Sequence, residues 1–85
     1  MFRVDFTSAA ARQIRKLPPE QRRRIQEAIR ALAEDPRPRT ATKLVGEETA
    51  WRIRVANYRV IYDVFDDVLV VTVVAVGHRR EVYRR

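Results

Sequence analysis

Two stretches of this chain carry the residue types that chemistry would need. In "WRIRVANYRV" three arginines, Arg52, Arg54 and Arg59, sit two and five residues apart around Ala56-Asn57. In "GHRREVYRR", which follows the most hydrophobic run, stand the chain's one histidine, His78, then Arg79, Arg80 and Tyr83. Guanidinium forks bind phosphate oxygens bidentately. A tyrosine ring offers a stacking platform for a nucleobase, and a histidine can carry a proton near neutral pH. Arginine does not surrender its proton, so these residues suit anion binding and charge stabilisation rather than base catalysis. The chain has no cysteine, which removes thiol nucleophiles and disulfides, and a lone histidine leaves a structural zinc site without ligands. Neither a metal nor a cofactor is expected.

The formal net charge is +7 over 85 residues, which invites a polyanion or an acidic protein as partner. Of the eighteen basic residues only Lys16 and Lys43 are lysines. Apolar residues make up 46%, enough for a small core, and two glycines argue against low complexity. The N-terminal run is interrupted by charge at Arg3 and Asp5, unlike a signal peptide. The run from Val68 to Gly77 is too short to span a bilayer as a helix. A soluble cytoplasmic protein is expected, with residues 1–85 forming one domain and no membrane partner.

The elements that must position these residues are legible from periodicity. Phe2, Val4 and Phe6 alternate with charged neighbours as in a half-buried strand. Thr7 or Ser8 can cap a helix whose apolar face is Ala10, Ile14 and Leu17. Pro18-Pro19 breaks it, and Pro19 with Glu20 suits the first turn of a second helix. There Ile25, Ala28, Ile29 and Leu32 form the apolar stripe, while Arg22, Arg23, Arg24 and Arg30 lie mostly elsewhere. Asp35-Pro36-Arg37-Pro38 ends it and opens a loop reaching about Thr42. Trp51, Ile53 and Val55 then alternate with arginines, and two further strands follow, Tyr58 to Phe65 and Val68 to Val76. The last is apolar almost throughout, which predicts a central strand covered on both faces.

Two-residue turns at Ala56-Asn57 and Asp66-Asp67 fix a register, although neither has the favoured glycine. Val55 then faces Tyr58, Arg54 faces Arg59, and Arg52 faces Ile61. One sheet face collects Trp51, Ile53, Val55, Tyr58, Val60, Tyr62, Val64, Leu69, Val71, Val73 and Ala75 as a floor for the helices. The opposite face holds Arg52, Arg54 and Arg59 beside Ile61, Asp63, Val70, Thr72 and Val74. Like charges directly opposed across strands destabilise by about a few tenths to 1 kcal/mol. An anion site requires such convergence; the plainer account is a solvated outer face, partly neutralised by Asp63. Gly77 allows the tail to turn back beside this face. Taken singly, Tyr83 can be a plug over the sheet end and His78 an exposed turn residue.

The order strand, helical hairpin, three strands, with "KLVGEETAWRIRVANYRVIYDV" and "VVAVGHRREVYRR", resembles the RelE branch of the RelE/ParE toxin superfamily. The likeness covers nearly the whole chain, and its most specific parts are the arginine in "YRVIY" and the closing "GHRREVYR". It implies an α+β fold resembling small microbial ribonucleases: an N-terminal strand, a helical hairpin and a three-stranded antiparallel meander, one sheet with the helices on one face. It also implies the toxin of a type II toxin–antitoxin system, an mRNA interferase that cuts messenger RNA in the A site of the 70S ribosome. In that family's chemistry the ribose 2′-hydroxyl attacks the adjacent phosphate, giving a 2′,3′-cyclic phosphate and a free 5′-hydroxyl. Carried over, Arg52 and Arg54 match two basic positions on the second strand, Arg59 the next strand's arginine, Arg79 the tail arginine and Tyr83 the tail tyrosine. Better-studied members often have lysines where Arg52 and Arg54 stand, so proton transfer here falls to Tyr83, to His78 as a helper, or to a ribosomal group.

The resemblance further implies a cognate antitoxin that wraps the toxin and covers the tail. The +7 charge and the Ile61, Val70 and Val74 patch suit an acidic, amphipathic partner. Arg22 to Arg24 could dock on ribosomal RNA, or simply form a solvated helix face. Two rivals keep the fold and change the class: a ParE-like inhibitor of DNA gyrase, and a non-catalytic antitoxin-binding domain.

Overall fold

The computed structural model describes residues 1–78. β1 (Arg3–Phe6) leads into α1 (Ser8–Arg15) and α2 (Pro19–Ala31), followed by β2 (Thr42–Lys43), β3 (Ala50–Val55), β4 (Tyr58–Phe65) and β5 (Val70–His78). The strands form one sheet in the order β1-β5-β4-β3-β2; β1 pairs with β5 in parallel and the other pairings are antiparallel. The α+β class and the three-strand meander are as expected from sequence.

The helices form where the caps and prolines direct. Thr7 Oγ1 accepts a hydrogen bond from the Ala10 amide at 3.1 Å, which satisfies one orphan donor at the start of α1. Pro19 starts α2 with Glu20 in its first turn, the arrangement that costs no helical N–H and favours the dipole. Ala10, Ile14, Ile25, Ile29 and Leu32 pack onto Ile53, Val60, Tyr62, Val64, Val71, Val73 and Val76, so one face of the sheet is sealed by the helical hairpin. Tyr62 is wholly buried, and its hydroxyl donates to the Pro36 carbonyl at 2.7 Å, fastening the loop after α2 to the core. Burial holds that phenol well above the ordinary tyrosine range. Among the described residues no helix is long and apolar enough to cross a membrane.

Four details depart from the sequence expectation. The segment near Thr42 is not all loop: Thr42 and Lys43 pair with Arg52 and Trp51 as an added edge strand. The turn between β4 and β5 spans residues 66–69, not two residues, because Asp66-Asp67 lacks the glycine that a tight primed turn favours. The loop instead turns at Leu69, with φ +56, which leaves Leu69 exposed rather than in the core. Adding two residues preserves parity, so Val71 and Val73 still face the helices. β5 takes the expected interior position, between β1 and β4, but is sealed on one face only, with Val71, Val73 and Val76 buried and Val70, Thr72, Val74 and Ala75 half-buried.

The fourth departure is a β-bulge. Tyr62 pairs with Val73 but Ile61 pairs with Ala75, so Val74 is an extra residue in β5. Helix α1 and its cap bond the β5 backbone around the bulge. The Thr7 amide donates to the Val73 carbonyl at 3.0 Å and the Thr7 hydroxyl to the Val74 carbonyl at 3.2 Å. Gln13 Oε1 accepts from the Val76 amide at 2.7 Å. Beyond the bulge the faces exchange: Val76 enters the core in the place expected for Ala75, which moves to the outer face beside Ile61.

Candidate phosphate-binding site

The Ala56-Asn57 turn is the two-residue turn that the register required. Ala56 takes φ +55 while Asn57 does not, the sign pattern of a type II′ turn, whose first position normally holds glycine. Val55 therefore pairs with Tyr58, Arg54 with Arg59, and Arg52 with Ile61. Directly paired side chains share a face, about 4.5–5.5 Å apart at Cβ. Arg54 and Arg59 are thus held side by side on the face away from the helices, with Arg52 next along β3.

Positive charge is concentrated on this face. The four ion pairs among the described residues are Arg3–Asp5, Arg23–Glu20, Arg23–Glu27 and Arg37–Asp66, and none involves Arg52, Arg54 or Arg59. The Arg52 guanidinium is held below its ordinary pKa by partial burial, then by repulsion from Arg59 and from Arg54. It remains charged at physiological pH, because arginine's ordinary value lies so high. Arg59 is half-buried, and its Nε is buried without a hydrogen-bond partner. Buried donors are normally satisfied, and this one is left unpaired by the described residues. Asp63 shares the face and is only 8% exposed, and its Oδ1 accepts from the Thr49 hydroxyl at 2.9 Å.

The bulge decides what stands next to Arg59. Gly77 pairs with Arg59 and His78 with Tyr58. Without Val74 as an extra residue, Val76 would oppose Arg59; with it, the neighbour is a residue with no side chain. The same register turns His78 to the helix face, where its ring meets Tyr58 edge-on at 6.1 Å between centroids. His78 is therefore not brought together with the three arginines, whatever its promise in sequence. Arg79, Arg80 and Tyr83 lie outside the described residues.

A cleft of about 470 Å³, lined by Thr40, Thr42, Arg52 and Arg54, opens at the β2 side of the same face. Sequence reasoning missed the two threonines. Their signal was the alternation Thr40-Ala41-Thr42, in which the half-buried Ala41 packs toward the core and its neighbours point away. The basic helix segment is less available than its composition suggested. Arg23 bridges Glu20 and Glu27, and Arg22 donates to the Leu17 carbonyl at 3.1 Å.

A helical hairpin on one face of a mixed sheet, with arginines that form no ion pair among the described residues on the other, defines a small α+β domain with a basic sheet face. The chain belongs to the RelE/ParE toxin family: residues 4–83 match the family model described as ParE toxin of type II toxin–antitoxin system, parDE. It is 34% identical over 84 residues to the mRNA interferase toxin RelE of Escherichia coli strain K12, an alignment covering 94% of this chain and 87% of that protein. The fold matches a chain of the intact Escherichia coli RelBE toxin–antitoxin complex with a TM-score of 0.83 and 29% identity, over 99% of this chain and 100% of that one. It matches a chain of the archaeal RelE–RelB complex from Pyrococcus horikoshii equally, with a TM-score of 0.83 at 28% identity, over 95% and 98% of the two chains.

Proposed function

We propose that this chain is the toxin of a type II toxin–antitoxin system and acts as a ribosome-dependent endoribonuclease on messenger RNA in the A site. The observation that carries the reading is Arg54 placed directly opposite Arg59, with Arg52 on the same face and no carboxylate in ion-pair contact with any of the three among the described residues. The likeness to RelE interferases over most of the chain supplies the reaction class. In that reaction the 2′-hydroxyl loses its proton as its oxygen bonds to phosphorus. The bond to the 5′-oxygen then breaks, and that oxygen takes up a proton. Charge grows on the non-bridging oxygens, where Arg59 and Arg79 stabilise it, while Arg52 and Arg54 bind phosphate on the same face and lower the barrier electrostatically. Removing one strong preorganised donor at such a position costs about 2.7–4 kcal/mol of barrier by analogy with oxyanion holes.

No arginine serves as the base. With His78 turned toward Tyr58, the proton passes to Tyr83 or to a ribosomal group, and Tyr83 stacks on a base to hold the attacking hydroxyl in line. The need for a 2′-hydroxyl excludes DNA. The protein works in the cytoplasm, where ribosomes are, and is held inactive by an acidic antitoxin. The likeness to chains solved in RelBE and RelE–RelB complexes supports such a partner. The half-buried Val70 and Val74 farther along the sheet give an amphipathic segment apolar contact.

The test is cleavage of message by purified protein with programmed ribosomes, mapping 5′ ends. Codon-phased cuts with ribosomes and none on naked RNA are expected. The ParE description of the family model motivates a second reading, inhibition of DNA gyrase. Intact message together with blocked supercoiling would establish that reading and overturn ours.

A further inference from the structure

The cleft at the β2 edge has a composition that the reaction at Arg59 does not require. Among the described residues it is lined by two threonines and two arginines, and by no acidic residue. β2 exists only as Thr42 and Lys43, and Thr42 pairs directly with Arg52, so its side chain shares that residue's face. Thr40 lies two residues back, beyond Ala41, whose amide is tied to the Pro38 carbonyl at 2.9 Å. The hydroxyls thus flank the guanidiniums on the side farther from β5, while Arg59 and Gly77 lie on the side nearer to it. Hydroxyls beside cations suit an anion with several acceptor oxygens, because they donate without adding charge to an already repulsive cluster.

We propose that Thr40 and Thr42, with Arg52 and Arg54, form a second phosphate subsite that holds a neighbouring phosphate of the RNA strand while the scissile phosphate sits at Arg59. The proposal deepens the ribonuclease reading and rests on it for the identity of the strand. Phosphate binding itself can be read without any cleavage. The subsite anchors the strand at two points, so that the 2′-hydroxyl is presented in line rather than pivoting about one contact.

The experiment is titration of the full chain with inorganic phosphate at constant ionic strength, following backbone amide resonances, with acetate as a parallel probe. Saturable shifts are expected at Thr40, Thr42, Arg52 and Arg54, separable from those at Arg59 and Gly77, with acetate producing none. Thr40→Val/Thr42→Val keeps the β-branched shape and strand preference but removes both hydroxyls. It should weaken phosphate at this subsite by about tenfold or more, the worth of one hydrogen bond to a charged group, and leave the Arg59 shifts unchanged. Thr42→Ser should restore part of the loss, which a purely structural role for the threonine would not produce. Equal saturation by acetate, shifts confined to Arg59 and Gly77, or unchanged affinity in the double valine variant would each overturn the subsite. An RNA arm then identifies the source: a ribosome-bound message with a neutral methylphosphonate beside the scissile phosphate should lose affinity for the parent protein but not for the valine variant. If phosphate saturates the cleft yet programmed ribosomes yield no cuts, the subsite stands and the cleavage reading falls.

Discussion

On the helix side of the sheet Ile53, Val60, Tyr62, Val71 and Val73 are buried. One residue away along the same strands, Arg52, Arg54, Arg59 and Thr72 form a face that no helix covers. The covered face gains from every apolar contact and carries a few polar links, among them Tyr62 to Pro36 and Gln13 to Val76. The bare face accepts a like-charge pair that a fold selected for stability alone would avoid. Alternation supplies both from one sequence, so a substitution on either face should read out in a different property.

The largest effect is expected in the helix layer. Ile29→Ala, at a residue 2% exposed beneath the sheet, should cost about 2–5 kcal/mol of stability, read by urea unfolding, because the core relaxes only partly around the cavity. Arg59→Ala should do the reverse. Cleavage by programmed ribosomes should fall about 10²–10³-fold. The unfolding midpoint should hold or rise slightly as the repulsion with Arg54 is relieved. A folded Arg59→Ala protein with full cleavage would place the chemistry elsewhere.

Tyr62→Phe should lose about 1–3 kcal/mol, because a buried carbonyl at Pro36 is left without its donor. Its titration has a definite sign. The buried phenol keeps its proton above the ordinary pKa near 10, whereas the unfolded chain releases it. Stability from this group is therefore complete below about pH 10 and falls as pH rises beyond it. The parent should lose stability more steeply than Tyr62→Phe in alkaline unfolding curves.

Gln13→Ala removes the acceptor for the Val76 amide. About 1 kcal/mol is expected, seen most clearly as faster hydrogen exchange at Val76. The smallest effect is a gain. Ala56→Gly should stabilise by up to about 1 kcal/mol, since φ +55 is costly for alanine and free for glycine. For a chain of this size that is a rise of about 4–8 °C in Tm per kcal/mol.

Much of this comparison was legible in the residue order. Helix starts followed from Thr7 and Pro19, whereas α2 ends at Ala31, ahead of the expected stop at Asp35-Pro36. The β3–β4 register followed from a dipeptide between two alternating runs, and with it the Arg54–Arg59 pair. The outer face past Tyr62 was not legible. Parity counting through Val74 assigned Ala75 to the core and left Val76 unplaced, because nothing local marks a bulge. Its hydrogen-bond partners, Thr7 and Gln13, lie more than sixty residues away in sequence. The added strand at Thr42 was hidden for a similar reason: two residues carry no periodicity, and only pairing with β3 defines them.

The sequence by itself determined the layer order, the sign and crowding of charge on one sheet face, and the absence of cysteine chemistry. These follow from side-chain type and from periods of 2 and 3.6 residues, which the backbone enforces locally. Tertiary structure alone decided that Gly77 rather than Val76 stands beside Arg59, that His78 turns away to Tyr58, and that Thr40 and Thr42 join Arg52 and Arg54 in a cleft. Each of these depends on which distant backbone group satisfies which donor, and no local pattern records that.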